Sequence, residues 1–244
     1  MIIAQLSDIH ADGSERALRR LDRVLDWLGP MSADAIIVSG DLAEHAHAES
    51  YQAIRDRLEA TGSPFYVVPG NVDDHHAMRQ VFGDALGWMG GRPFNCSGWL
   101  GEELRVIGLD VTVNGADHGD AAPVLDWLAA ELDRDGPPAL IFQHQHPFFC
   151  GIDGKDRNNC RNQEALALVI GRSRNPVIGV TCGHVHRPMF TRFAGLPATM
   201  APSVARANRL RLDNKTSDIS EPPGLLLHHV QDTRLVSHVA MVAD

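Results

Sequence analysis

The chain predicts an α/β fold, and three observations carry that prediction. Apolar strand-like runs alternate with amphipathic helical segments over the first two thirds, polar residues stand at the ends of those runs, and short extended segments close the sequence. Residues 1–6 are a β-type run leading into Asp8, without the basic flank and long apolar region of a secretory signal. Leu18, Leu21, Leu25 and Leu28 recur at helical spacing and place an amphipathic helix that stops at Gly29-Pro30. A strand over 35–38 runs into Gly40-Asp41, a helix around 51–58 ends near Gly62, and a strand over 64–68 leads to Gly70-Asn71. The unit then repeats: strand 104–109, helix 124–132, strand 139–142, helix 165–170 and strand 176–180 before Gly183-His184. Extended runs at 189–193, 198–200, 225–230 and 235–242 predict an antiparallel tail. Residues 206–223, rich in charged and turn-forming types, read as a long connecting loop and a candidate flexible or partner-contacting element. Periodicity alone gives three layers.

Length and composition set the bounds. With 244 residues the chain is read as one domain over 1–244, and 44% hydrophobic with 22% charged residues is ordinary for a globular protein. No segment approaches the ~20 apolar residues of a membrane helix, so no membrane partner is expected. The formal net charge of −9 argues against a broad basic face for a nucleic acid polymer. An anionic substrate would instead need a locally positive site. Cys96, Cys150, Cys160 and Cys182 lack CxxC pairing, and a cytoplasmic location would keep them reduced as structural thiols. A Cys150–Cys160 pair flanking one loop stays open as the alternative.

The chemistry lies in an ordered series of donors: Asp8-x-His10, Gly40-Asp41, Gly70-Asn71, His144 and Gly183-His184-x-His186. Each stands at or just beyond the end of a strand-like run. Open α/β sheets bind ligands outside the carboxyl ends of their strands, so these groups should converge in one crevice. Glycine beside Asp41, Asn71 and His184 lets the backbone turn sharply. Carboxylate, amide oxygen and imidazole suit manganese, iron, cobalt or zinc, and such a set suggests metal-assisted hydrolysis. Taken singly, an Asp or Asn after Gly is more often a turn residue, and a lone His a satisfied core residue. As an ordered set at five strand ends they read as a site for two metal ions.

The motifs D-x-H, G-D, G-N-x-D, a mid-chain His and G-H-x-H, in this order, resemble the calcineurin-like metallophosphoesterases over nearly the whole chain. Gly108-Leu-Asp110, His118-Gly119, Asp126-Trp-Leu128, Gly183-His-Val-His-Arg187 and Glu221-Pro-Pro-Gly224 are most similar to the bacterial class III cyclic nucleotide phosphodiesterases and glycerophosphodiesterases. The resemblance implies a four-layer α/β/β/α sandwich of two mixed sheets, with the antiparallel tail in the second sheet. It implies two divalent or mixed-valence ions: Asp8, His10, Asp41 and His186 on one, and Asp41, Asn71, His144 and His184 on the other, with Asp41 as bridge. In Gln143-His-Gln-His-Pro147 the first His aligns as the ligand, with His146 as rival. It further implies a pocket role for His118, self-association into a homo-oligomer, and hydrolysis of a small phosphodiester by a metal-bridging hydroxide.

Two departures bear on mechanism. The family's Gly-Asn-His-Asp is here Gly70-Asn-Val72-Asp73, so an imidazole that would protonate the leaving group is absent. Where a second His often follows Pro-Ser, Pro202-Ser-Val-Ala-Arg206 offers an arginine, read either as a fork for a phosphate oxygen or as a solvated surface residue. His75, His76, His118 and His146 are the candidates to replace the missing imidazole. The leading expectation is a dinuclear phosphodiesterase acting on a small-molecule phosphate ester. The alternatives are a phosphomonoesterase on the same scaffold, or a non-catalytic metal-binding regulatory protein.

Overall fold

The computed structural model describes residues 1–44, 48–88, 93–211 and 218–243. The chain opens with β1 (Ile2–Leu6), α1 (Glu15–Leu28), β2 (Ala35–Ser39), α2 (Ala48–Ala60), β3 (Phe65–Val68) and α3 (His75–Leu86). It continues with β4 (Cys96–Leu100), β5 (Leu104–Leu109), β6 (Gly119–Asp120), α4 (Leu125–Asp133), β7 (Ala139–Gln143), α5 (Asp153–Asp156), β8 (Cys160–Arg161), α6 (Gln163–Gly171) and β9 (Val177–Cys182). It closes with β10 (Met189–Phe193), β11 (Leu196–Met200), β12 (Ala207–Asn208), β13 (Asp218–Ile219), β14 (Gly224–Gln231) and β15 (Arg234–Met241).

Side-chain alternation decides the layering. Ile3, Ala35 and Ile37 join Val106, Leu140 and Phe142 in an apolar layer between two sheets, whereas their neighbours Ala4, Leu6, Ile36 and Val38 pack against α1, α2 and α3. On the far side, Ile107, Leu109, Ile141 and Val180 pack against Leu128 and Leu132 of α4 and Leu166 and Ile170 of α6. Each fully buried aliphatic side chain contributes about 1.5–3 kcal/mol. The result is four layers, α/β/β/α, rather than the three that periodicity alone suggests. Fully apolar strands read the same whether a helix or a second sheet covers them.

One sheet runs β15-β14-β1-β2-β3 and the other β10-β11-β9-β7-β5-β4. The strands β1, β2 and β3 are parallel, as are β5, β7, β9 and β11. The tail is not confined to the second sheet. β10 and β11 extend that sheet through a hairpin at Ala194 and Gly195, both at positive φ, while β14 returns antiparallel to β1 at the edge of the first sheet. Nor is the tail wholly antiparallel, since β11 lies parallel to β9. Within the expected 206–223 loop, β12 and β13 form a short antiparallel ladder, and residues 212–217 lie outside the described residues.

Sequence reading misses α3 and β4. In α3 the buried Met78, Val81 and Phe82 make a short stripe with Gly83 inside it, a weak periodic signal; Asp74 caps the start by accepting from Ala77 N.

Just below the strand ends a polar belt joins the sheets. Gln5 of β1 donates to Ser39 Oγ at 2.8 Å and to the Cys182 carbonyl at 3.0 Å. Its own oxygen accepts from Thr181 Oγ1 at 2.5 Å and from His228 Nε2 at 2.9 Å. The belt fixes how the carboxyl ends of β1 and β2 face that of β9. No helix among the described residues is long and apolar enough to cross a membrane.

Candidate metal centre

Five carboxyl ends converge: Asp8 beyond β1, Asp41 beyond β2, Asn71 beyond β3, His144 directly after β7 and His184 beyond β9. The backbone there is tightly wound. Asp8, His10, Asp41, His184 and His186 all hold positive φ, between 47° and 76°. Such conformations cost of order 1–3 kcal/mol each for residues with a side chain, and they persist where the surroundings over-determine them. Gly40, at φ 87°, has no room for a side chain, since a Cβ would stand 2.6 Å from His144 Nδ1. A Cβ on Gly183 would strike Ser7 Oγ and lie 2.8 Å from Asp8 Oδ2.

Two clusters result. Donor atoms of Asp8, His10, Asp41 and His186 lie within 4.8 Å of one another, as do those of Asp41, His144 and His184. Asp41 belongs to both: its Oδ2 is 3.5 Å from His10 Nε2 and 3.2 Å from His144 Nε2. Asn71 Oδ1 joins the second cluster, 3.1 Å from His144 Nε2. Asp8 and His144 are wholly buried, while the side chains of His10 and His186 keep 16% and 17% exposure, so the first cluster is the more open one.

The outer contacts fix which ring nitrogens face inward. His10 donates from Nδ1 to Glu44 Oε1 at 2.5 Å, His186 from Nδ1 to the Arg206 carbonyl at 2.8 Å, and His144 from Nδ1 to the Ser39 carbonyl at 2.8 Å. Each ring therefore turns its Nε2 inward. His10 Nε2 and His186 Nε2 face each other at 3.0 Å, and His144 Nε2 faces Asp41 and Asn71 oxygens. Acceptors pointed at acceptors repel unless a proton or cation lies among them. A divalent metal fits this donor set.

The titration behaviour has the same cause. Burial opposes the charged form of His10, but Glu44 and the carboxylates of Asp41 and Asp8 outweigh it and raise its pKa to about 9. Burial likewise opposes protonation of His144, and Asp41 and Asp8 reverse this, again to about 9. Asp8 and Asp41 are held below the ordinary carboxylate range despite burial, chiefly by His186 and His144 respectively. Burial and the neighbouring His144 push His184 well down.

The structure gathers Asp8, His10, Asp41, Asn71, His144, His184 and His186 into one site, and it is His144 rather than His146 that enters it. Arg206 is exposed, and its side chain lines a cavity of about 260 Å³ together with His10, Ser14, Arg16 and Arg20. His118 is half-buried in the loop ahead of β6 and is not part of either donor cluster. His75 Nε2 is engaged by Thr112 Oγ1 at 2.9 Å, and His76 is exposed. All four cysteines are free, so no Cys150–Cys160 bond forms.

Sequence reasoning missed Glu44 and Asp73. Asp73 accepts from the backbone N–H groups of Leu42 at 2.9 Å, Ala43 at 3.1 Å and Gly70 at 2.8 Å, and from the Tyr51 hydroxyl at 3.0 Å. It thus clamps the loop carrying Asp41 to the loop carrying Asn71. Burial and the charge of Asp41 raise its pKa to about 6. Its place closing the Gly70-Asn-Val-Asp73 motif was the available signal.

Two donor clusters that could each hold a metal ion share one carboxylate on the crest of a four-layer sandwich. The calcineurin-like phosphoesterase profile matches residues 1–188, and the chain belongs to that family. A probable glycerophosphodiester phosphodiesterase of Arcobacter nitrofigilis is 28% identical, over 99% of this chain and 93% of its own length. A probable cyclic nucleotide phosphodiesterase of Synechococcus is 30% identical over 81% of this chain and 80% of its own. The 3',5'-cyclic adenosine monophosphate phosphodiesterase of Escherichia coli is 28% identical over 86% and 75%. Among solved structures, a dimetal phosphatase from Danio rerio superposes with a TM-score of 0.72 over 100% of this chain and 97% of that one, at 12% identity. That likeness speaks for the fold.

Proposed function

We propose that the protein hydrolyses a small phosphodiester, of the cyclic nucleotide or glycerophosphodiester type, with two divalent cations of the manganese, iron, cobalt or zinc kind. One observation carries the reading: Asp41 Oδ2 stands between His10 Nε2 and His144 Nε2. A carboxylate placed there can serve both clusters. Bound cations would supply Lewis acidity toward a phosphate oxygen and acidify a water.

The protein's own groups do the rest. Asp73 holds the Asp41 and Asn71 loops in register, and Glu44, Ser39 and the Arg206 carbonyl orient the imidazoles. Arg206, with Arg16 and Arg20 around the adjoining cavity, gives a locally positive approach in a chain of net charge −9. In this reading Arg206 grips a phosphate oxygen. His118 is retained as a pocket residue, because Gln145, which follows His144, donates from Nε2 to the carbonyl of the adjacent Asp117 at 3.3 Å. Val72 cannot donate a proton; its backbone N–H is used instead, donating to Asp41 Oδ1 at 3.1 Å. Four free thiols suit a reducing compartment, and the cytoplasm is the proposed location.

Rates of the manganese-loaded protein on bis-aryl and mono-aryl phosphates test the reading. We expect kcat/KM at least about tenfold higher on the diester, a difference of about 1.4 kcal/mol. The opposite ranking would favour the monoesterase, and no turnover of either would leave a metal-binding regulatory protein.

A further inference from the structure

A third donor cluster lies outside the one just described. A ring nitrogen of His146, Sγ of Cys150 and a carboxylate oxygen of Asp156 lie within 4.8 Å of one another. His146 is wholly buried, and neither of its ring nitrogens has a hydrogen-bond partner. A buried polar atom left unpaired costs about 1–3 kcal/mol, and in native proteins an unseen water or ion is a common explanation. Asp156 Oδ1 is 3.7 Å from His146 Nε2, too far for a direct hydrogen bond. It is close to the separation of about 3.3–3.7 Å that two donors adopt around one tetrahedral ion with bonds of about 2.0–2.3 Å.

The backbone holds the three groups in place. Cys160 N donates to the His146 carbonyl at 2.9 Å and fixes one side. Asp156 accepts from Cys150 N at 2.7 Å and from Gly151 N at 2.9 Å, which ties α5 to the loop that carries the thiol. Cys150 and Asp156 are half-buried, so a hydrated ion can enter from the solvent side.

We propose that His146, Cys150 and Asp156 bind a further thiophilic divalent cation of the zinc type, distinct from the pair that shares Asp41. Three protein ligands and one solvent molecule complete a tetrahedron. On binding, Cys150 releases its thiol proton to solvent and coordinates as thiolate. The ion fastens the loop over residues 147–156 to His146, whose ring stacks on that of His184 with centroids 5.9 Å apart. This third ion stiffens one wall of the main centre and does not depend on what the main centre hydrolyses.

Cobalt substitution separates the two kinds of site, because the pair at Asp41 has only nitrogen and oxygen donors. The full-length cobalt-loaded protein should show a near-ultraviolet thiolate-to-cobalt charge-transfer band and bind about three equivalents per chain. Cys150→Ser should lose the band and one equivalent; Asp156→Asn should weaken the band without removing the thiol. A wild-type protein holding about two equivalents with no charge-transfer band would overturn the third site and leave the main one standing. Should Cys150→Ser fail to fold, the wild-type spectrum alone decides.

Discussion

The belt around Gln5 and the ligand crest a few residues beyond it are both polar and buried, but they are satisfied differently. In the belt donors meet acceptors: the Gln5 amide gives to Ser39 and Cys182, and its oxygen receives from Thr181 and His228. In the crest acceptors meet acceptors, with His10 Nε2 facing His186 Nε2 and His144 Nε2 facing Asn71 and Asp41 oxygens. The first network is complete within the protein and contributes to holding the two sheets together. The second crowds ring nitrogens against one another and against carboxylate oxygens, which a proton or a cation among them relieves, and its positive-φ backbone is held by the packed layers beneath it. Buried polar groups serve stability where their bonds close internally, and are free to hold a cation where they do not.

Substitutions in the crest should strike function hardest. Asp41→Ala should lose both cations of the shared pair and lower diester turnover by about 10³-fold or more; retention of both ions would refute the bridge. Val72→His should raise turnover on diesters with poor leaving groups, by up to about 10²-fold if protonation of the leaving group limits the rate. An unchanged rate would mean that water or another side chain already supplies the proton.

The belt should instead be read out in stability. Burial lowers the pKa of His228 to about 4, against about 6.5 in an unfolded chain. The unfolded state therefore takes up this proton first as pH falls. The contribution of His228 is fully present above pH ~6.5 and is lost as pH drops toward 4, by up to about 3 kcal/mol. Unfolding of the metal-free protein and of His228→Phe, followed by denaturant across that window, should show the wild-type slope reduced in the variant; equal slopes would remove His228 as the cause. The smallest effect is expected at the solvent edge of the crest. Arg206→Ala should raise KM by about tenfold with little change in kcat if the guanidinium grips phosphate, and unchanged kinetics would return it to the surface.

The same contrast explains what could be read from the sequence. Asp8, Asp41, Asn71, His144 and His184 each stand a few residues beyond an apolar run, so a local pattern betrays them. Their partners do not share that advantage: Glu44 meets His10 from 34 positions away, and Asp73 meets Leu42 N from 31. Such pairings have no local period. The division of the tail depends on which sheet edge each strand covers, and β14 finds β1 across almost the entire chain. Between His144 and His146, two residues apart, the family pattern favours the first, and it is His144 Nε2 that faces Asn71 and Asp41 oxygens. The second sheet came from that resemblance too, because strands buried on both faces look alike whatever covers them.

Anomalous scattering from crystals of the manganese-replete protein tests the shared-carboxylate centre most directly. Two peaks about 3.5–4 Å apart, flanking Asp41, are expected. Density at neither cluster, or a single peak that Asp41 does not touch, would contradict it.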